Sequence, residues 1–446
     1  MTPFGTTGRI MEGLGGARTL GPRREASGFL RACPNAILTT VALLSLLFVV
    51  WFGSLAALCF LLSGLALWIR QPSRAFDDLV RFWPIHLVAG WCLLTTFWSN
   101  EPGITLRLGI QLLLTFVIAV AMATRLSART FVRVAFVAFG TAAVASLLFG
   151  QVRSDGAGWI GIFGSKNEFS FAMSVLILLS VALLLERRGG WIRVPALACL
   201  LLGAFLLVMG QSAGALVTTA LAGGLGFALV ALRGASASVR LLVIALALMA
   251  AVALTLVAVE YRAELAAAFL DATGKDVTLT GRTELWAEAA REIRAHPLLG
   301  QGFQAVWLPG NPVAEALWAR FDVPPGSGFN FHNTWISNAV EIGLIGVALQ
   351  LAMFLTTLAL VARWVIGAQT AASLFFAMFM VRQAVTSLVE VVAYFNFNAF
   401  TILTVAALVY GLRVRAEAAA PRARSVPGQA QGRAVSRRPP PQLAGT

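Results

Sequence analysis

The stretch GRTELWAEAAREIRAHPLLGQGF, residues 281–303, and the stretch HNTWISNAVEIGLIG, residues 332–346, decide how this chain is organised. Long apolar runs precede and follow them, so the chain leaves the lipid before the first stretch and returns to it in the second. Arg282 and two of the chain's three histidines, His296 and His332, lie here, beside the start of an apolar helix. We therefore expect the chemistry of the protein in this segment.

The composition of the chain is that of a membrane protein. Of its 446 residues 58% are hydrophobic and only 12% are charged, with a mean hydropathy of +0.81. Soluble globular domains contain about 25% charged residues, which excludes that class. We assign the net charge of +14 to cytoplasmic loops, which retain Lys and Arg, and expect no nucleic-acid partner. The four cysteines lie in or next to apolar runs without metal-binding spacing, so they are expected to be small buried apolar residues.

Hydropathy predicts an all-α polytopic membrane protein with about twelve transmembrane helices of ~20 residues, enough to cross a core of ~30 Å. The first two are expected to form a hairpin that turns near Gly53. The predicted spans cover this hairpin at 36–69 and then 82–98, 104–123, 131–149, 169–185, 194–210, 213–232, 241–259, 333–362, 371–391 and 396–412. Arginines in alternate loops place both ends of the chain in the cytoplasm.

The predicted topology divides the chain into five parts. They are a flexible cytoplasmic N-terminus (1–35), spans one to nine (36–259), a periplasmic catalytic segment (260–332), spans ten to twelve (333–412) and a disordered basic cytoplasmic tail (413–446). The periplasmic segment is expected to be partly helical. Apolar residues recur at helical spacing over 283–295, and Asn311 before Pro312 is a start signal for a second helix over 312–321.

The order of three motifs resembles a known superfamily. The pattern GRxxxWxxA, then HPLLGQGF, then HNTWxxxxxEIGLIG opening a membrane helix is similar to the O-antigen ligases and Wzy-type polysaccharide polymerases. Weaker matches are FWSNEP at 97–102 and GIFGSKNEFS at 161–170, the latter most like exopolysaccharide polymerases. The resemblance covers about residues 80–410. It implies an inverting, metal-independent glycosyltransferase without a cofactor. Such an enzyme moves a glycan from an undecaprenyl-diphosphate carrier to an acceptor hydroxyl at the periplasmic face of the bacterial inner membrane.

That reaction requires two kinds of side chain. The leaving group is a lipid diphosphate, and the planar guanidinium of arginine pairs with two phosphate oxygens at once, which favours Arg282 of the GR motif. A general base must accept the proton of the acceptor, and a histidine side chain, with an ordinary pKa of about 6.5, is suited to this near neutral pH. His332 is the predicted base, supported by Asn333. The segment shows no HxH or HExxH spacing, so no metal site is predicted.

The sequence departs from the family pattern at the eighth predicted span. Many ligases open this span with a Ser-Arg-Gly motif that supplies a second diphosphate-binding arginine, whereas this chain has Ala213 at that position, in the sequence Gln211-Ser212-Ala213-Gly214. Lys166, with Asn167 beside it, and Arg382 are the candidates to replace it. Arg382 lies within an apolar run, where a charge costs at least about 2.5–3.5 kcal/mol and usually faces a polar cavity. The alternative is that it pairs with backbone carbonyls or a neighbouring acid.

Two glutamates are predicted to support the site. Glu341 would lie about 13 Å from His332 along a regular helix, too far to orient its ring, and a structural polar role is favoured. Glu390 would lie two turns beyond Arg382, too far for a direct pair, and is either a site residue or an interface anchor. His296 precedes Pro297 at a helix end, where capping and catalysis are both open.

Several functional alternatives remain open from the sequence. A lipid-linked oligosaccharide flippase or other transporter also suits twelve spans, although no internal repeat is evident. Ligases and polymerases share the lipid-linked donor and differ in acceptor, which is lipid A core or the growing glycan. Membrane lipids are expected partners, and other polysaccharide-assembly proteins are possible ones.

Overall fold

The computed structural model describes residues 33–153, 156, 158–186, 190–236, 238–239, 242–243, 249, 280–326, 329–392 and 394–419. Helices dominate this part of the chain. The described α-helices before residue 260 are α1 (Pro34–Leu47), α2 (Val49–Ile69), α3 (Pro72–Arg81), α4 (Leu87–Leu94), α5 (Pro102–Arg125), α6 (Ala128–Phe149), α7 (Lys166–Leu184), α8 (Arg193–Met209) and α9 (Ala213–Ala231). Those that follow are α10 (Thr280–Ala295), α11 (Pro312–Arg320), α12 (Thr334–Gly367), α13 (Ala371–Thr386) and α14 (Ala399–Ala419). Two short antiparallel strands, β1 (Gln151–Val152) and β2 (Trp159–Gly161), join α6 to α7.

The predicted class is confirmed: the chain is a mostly helical, multi-pass membrane protein. Within the described ranges, 8 helices are long and apolar enough to cross a membrane, and a ninth span would be α3 with the segment 83–97, bent by 73°. Helices α1 and α13 are apolar but shorter. The predicted span 241–259 falls almost entirely outside the described residues, so the count of twelve spans stays a prediction.

The predicted hairpin over 36–69 is formed by α1 and α2. The backbone leaves the helical region at Gly53, with φ 50° and ψ −124°, and Arg70 at the far end returns to donate to Asn35 Oδ1 at 3.2 Å. Burial then separates central from peripheral helices. In the most apolar 18-residue stretch of α7, 83% of the residues are buried, whereas in the corresponding stretch of α2 only 22% are. Helix α7 is therefore in the centre of the bundle, and α2 lies at its edge with its side chains towards lipid.

Helix α12 is broken at Gly343, where φ is 66° and ψ is 177°. Only glycine adopts this conformation readily, and a Cβ there would lie 2.1 Å from the carbonyl oxygen of Leu298. The loop 297–302 supplies the hydrogen bonds that the break removes. Its amides at Gln301 and Gly302 donate to the carbonyls of Val340 and Glu341 at 3.0 and 2.8 Å, and Leu344 N donates to Pro297 O at 2.9 Å. Gly343 therefore ends one helical segment and starts another, and its lack of a side chain lets the loop approach the backbone closely.

Residues 280–326 and 329–331 fold over the start of α12. The two helices predicted in this segment are present, at 280–295 and 312–320. Asn311 caps α11 as its sequence signal indicates, accepting from Val313 N at 3.0 Å and Ala314 N at 3.2 Å. A small apolar core joins the two helices to the chain that precedes α12. Its buried members are Leu285, Ala289, Val306, Leu317, Phe331 and Val340.

Candidate functional site

The loop that follows α13 is joined to the N-terminus of α12 by hydrogen bonds. The Asn333 side chain caps α12, accepting from Trp335 N and Ile336 N, and its Nδ2 donates to Leu388 O at 2.9 Å. Thr334 donates from its amide to Ser387 O at 2.9 Å and from its hydroxyl to the Glu390 carbonyl at 2.8 Å. Sequence analysis missed Thr334. These bonds fix the backbone of Glu390 beside His332, although 58 residues separate the two.

The Glu390 carboxylate accepts hydrogen bonds from three elements. His332 Nδ1 lies 3.1 Å from its Oε2, while Arg282 Nη2 and Asn167 Nδ2 lie 3.2 and 3.1 Å from its Oε1. Arg282 also donates from Nη1 to the carbonyl of Val389 at 2.9 Å. The expected range of α13, to residue 391, placed Glu390 on that helix. The helix ends at Thr386, so Glu390 lies in a loop and contacts residues distant in sequence.

The orientation of the His332 ring follows from this carboxylate. An ionised carboxylate only accepts hydrogen bonds, so Nδ1 carries the proton in the neutral imidazole and Nε2 keeps its lone pair. The backbone of His332 has φ 47°, a conformation of the kind that recurs at functional sites. Asn330 stabilises it by accepting from His332 N at 2.7 Å. An asparagine two residues before the histidine is the sequence signal for such a turn.

A cavity of about 400 Å³ brings most of the predicted site residues together. The predicted residues on its wall are Arg282, His332, Lys166, Asn167 and Glu390. Ala213, the position of the missing arginine, lines the same cavity, as do its neighbours 211–214. Sequence analysis did not single out three further lining residues, Phe171, Thr386 and Val389. Lys166 and Ala213 thus line the same cavity. The roles of these residues remain predictions.

Helix N-termini converge on this cavity. Lys166 and Asn167 open α7, Ala213 and Gly214 open α9, Arg282 is the third residue of α10, and His332 lies two residues before α12. The start of a helix carries a partial positive charge, although the first amides of α12 already donate to Ser387 and Asn333. At α9 the Ser212 side chain makes no capping bond; its hydroxyl donates to Asn167 Oδ1 at 3.3 Å instead. The arrangement favours a bound anion.

Arg382 is close to this cavity but does not line it. Its side chain is fully buried and stacks on Phe171, with the guanidinium carbon 4.7 Å from the ring centroid. Nε donates to Ser174 Oγ at 2.7 Å and Nη1 to Gln383 Oε1 at 3.0 Å. Nη2 has no partner among the described residues. The sequence left open that Arg382 pairs with a backbone carbonyl or a neighbouring acid. Neither kind of group is its partner in the part of the chain that the structure describes.

The remaining candidates lie elsewhere. Glu341 accepts from Gln304 N at 3.0 Å and, through its carbonyl, from Gly302 N, so it contacts the loop that fills the break in α12 and does not line the cavity. His296 ends α10, and its carbonyl accepts from Gly300 N at 3.1 Å. Across the described ranges, no group of three or more His, Cys, Asp or Glu residues is placed to hold a metal ion. Metal independence of the reaction itself remains a prediction.

The fold and the site together define a class: a multi-pass membrane protein with a cationic, His-containing cavity where several helices begin. Comparison with known proteins gives the family. A family model described as O-Antigen ligase matches residues 198–351, from α8 into α12. The exopolysaccharide production protein ExoQ of Rhizobium meliloti (strain 1021) is 35% identical over 315 residues, which cover 69% of this chain and 71% of that protein. The chain belongs to the O-antigen ligase family, which supports an enzyme of the polysaccharide ligase or polymerase type.

Proposed function

We propose that this protein is an inverting glycosyltransferase that uses an undecaprenyl-diphosphate-linked glycan as donor, in exopolysaccharide or O-antigen assembly. One observation carries the proposal: a general-base candidate, His332, and two cations, Arg282 and Lys166, line one cavity at the ends of several helices. A base and an anion site side by side suit glycosyl transfer from a diphosphate. The relative from Rhizobium meliloti is an exopolysaccharide production protein, which favours an exopolysaccharide as the product.

In the proposed reaction, His332 activates the acceptor. Its Nε2 takes the proton of the acceptor hydroxyl while that oxygen attacks the anomeric carbon of the donor sugar. The bond between that carbon and the diphosphate oxygen breaks on the opposite face, so the configuration inverts and the electron pair leaves with the diphosphate. The Glu390 carboxylate stabilises the imidazolium that forms, as a buried acid does in other base-activated sites.

The diphosphate gains negative charge as it leaves, and the site offers positive charge to it from several sources. Arg282 and Lys166 stand on the cavity wall, and charge-assisted contacts to phosphate are the strong ones. The uncapped start of α9 adds backbone amides at Ala213, the position at which the resemblance to the ligases implies an arginine. Thr386 lines the same cavity and its buried hydroxyl has no partner within the described residues. We infer that backbone amides and Lys166 together replace the missing arginine.

The proposal includes the side of the membrane on which the cavity opens and the acceptor of the glycan. With the predicted topology, the cavity faces the periplasm, where lipid-linked glycans are joined to lipid A core by ligases or to the growing glycan by polymerases. Undecaprenyl-diphosphate glycan and membrane lipids are the proposed partners, with other polysaccharide-assembly proteins. The proposed location is the bacterial inner membrane.

The test is glycan transfer by the purified full chain from a purified lipid-linked donor, in the presence of chelator. Product analysis on gels, together with a gene deletion, distinguishes the two enzyme types. A deletion strain that accumulates single repeats without ladders indicates a polymerase, and one that keeps free polymer but loses attached polymer indicates a ligase. Movement of the donor across vesicle membranes without transfer would instead support a flippase and overturn the proposal.

A further inference from the structure

A second cationic cavity lies at the other end of α12, between that helix and α14. Its volume is about 380 Å³, and Arg363 and Arg415 both line it, one from each helix. Arg363 comes roughly eight helical turns after Thr334, at 3.6 residues per turn. This cavity is therefore remote from the one that contains His332, and the proposed reaction does not use it.

The two helices form this cavity because they touch at one point and then leave a gap. At Gly411 of α14 a Cβ atom would lie 2.8 Å from the Cβ of Leu360 on α12, so the helices meet there in direct contact. In the next turns Trp364 lines the gap, but four other lining residues are glycine or alanine and leave space between the helices. These are Gly367, Ala368, Ala418 and Ala419.

The two arginines differ from their neighbour Arg413. Arg413 Nη1 donates to the carbonyls of Ala123 at 2.7 Å and Leu126 at 3.1 Å, and its guanidinium lies over the Tyr410 ring at 5.6 Å. Arg363 and Arg415 are exposed, and neither forms an ion pair or hydrogen bond with another residue that the structure describes. Among the described residues, no acidic side chain lines the cavity between them.

We propose that this cavity binds the phosphate headgroup of an anionic phospholipid. Two guanidinium groups can each present a fork of donors to phosphate oxygens, and basic pockets between transmembrane helices are typical of anionic lipid sites. Leu360 and Val414, on the same wall, provide apolar surface for the start of the acyl chains. Arginines that serve only to orient the chain in the membrane need no shared cavity between two helices and would show no preference for one lipid.

The proposal is tested by native mass spectrometry of the full chain in detergent with added palmitoyl-oleoyl phosphatidylglycerol. Parallel samples contain the zwitterionic phosphatidylcholine or inorganic phosphate. The variants are the double variant Arg363→Gln/Arg415→Gln, the charge-conserving Arg363→Lys/Arg415→Lys, and the control Arg74→Gln. Arg74 is exposed, its side chain is hydrogen-bonded to Gln71 and to no other residue that the structure describes, and it lines neither cavity.

We expect the wild-type chain to retain phosphatidylglycerol in preference to phosphatidylcholine. The double Gln variant should bind phosphatidylglycerol about 30-fold more weakly, which corresponds to about fivefold for each arginine. The Lys variant should keep the preference for the anionic lipid but only part of the affinity, because lysine keeps the charge without the guanidinium fork. The Arg74→Gln control should keep all of it. Equal retention by wild type and the double Gln variant would overturn the proposal. So would displacement of the lipid by millimolar phosphate, which would show a site for the free anion. Since the readout is binding, it does not depend on glycan transfer.

Discussion

Arg282 and Arg382 show two ways in which this protein holds a positive charge near the same cavity. Arg282 is 28% exposed on the cavity wall and forms an ion pair with Glu390 at 3.2 Å. Arg382 is fully buried behind Phe171, and its partners in the described chain are neutral. A paired cation at the wall can exchange its partner for a phosphate. A buried cation without a counter-charge acts on the cavity only through its field, which low-dielectric surroundings strengthen.

The charge of the site depends on a carboxylate as much as on arginines. Glu390 holds Arg282 and His332 in place, whereas nothing acidic neutralises Arg382 in the part of the chain that the structure describes. Arg382 therefore adds a net positive charge beneath the cavity, which favours an anionic ligand above it.

His332→Ala should have the largest effect because it removes the proposed base. We expect transfer to fall by about 10²–10⁴-fold, with donor binding nearly unchanged, measured by initial rates and by donor binding to the purified chain. The wild-type enzyme should keep its full activity in the presence of chelator. An enzyme that loses activity in chelator and regains it with a divalent cation would make His332 a metal ligand instead.

Arg282→Ala should reduce transfer by about 10²–10³-fold, the usual cost of one donor to a developing anion. Arg282→Lys should restore little, because a point charge does not reproduce the two-pronged guanidinium contact. Single-turnover assays on matched amounts of folded protein measure both. Near-wild-type rates in the alanine variant would remove Arg282 from the donor site.

Glu390→Gln should reduce transfer by about 10–100-fold, because the amide cannot both accept from His332 Nδ1 and neutralise the imidazolium that forms. The informative measurement is the double variant with His332→Ala. The effects of substitutions on the rate are not additive for residues that act as one unit, so the double variant should be no slower than His332→Ala alone. Additive losses would mean that Glu390 acts apart from His332, for example through Arg282 only.

Arg382→Met should raise the KM for the donor by about tenfold with little change in kcat, since a charge acting through protein is worth on the order of 1–2 kcal/mol. An uncharged side chain of similar length removes the cost of burying the cation, so thermal stability should not fall. Arg382→Lys should recover most of the affinity. Loss of kcat rather than affinity would indicate that Arg382 reaches the reacting groups directly.

A labelling experiment that should leave activity unchanged tests where the cavity faces. Pro325→Cys, in a chain whose four native cysteines are replaced by alanine, should react with an impermeant maleimide in intact cells. Pro325 is exposed beside Gly326, in the segment before α12. Labelling only after the membrane is permeabilised would invert the predicted topology and with it the periplasmic site.

Local signals gave much of the fold in advance. Runs of about 20 apolar residues predict membrane helices because the bilayer core leaves few alternatives. Asn311 predicts a helix start because a side-chain oxygen satisfies free amides of the first turn. The cavity residues Arg282, His332, Lys166 and Asn167 were also accessible to sequence, since each lies in or next to a short motif. In each of these cases the cause and the effect are within a few residues of each other.

What the sequence could not determine depends on contacts between distant residues. Glu390 was assigned a place on a helix because an apolar run does not show where α13 stops, and its partners lie 58, 108 and 223 residues away in the chain. The break at Gly343 is stable only because loop 297–302 docks on it and satisfies its backbone groups. Whether Arg382 reaches the cavity was decided by the position of Phe171 on a neighbouring helix. Hydropathy and helix signals report on short-range backbone and solvent preferences, whereas the side chains that meet at a site are selected by how the helices pack.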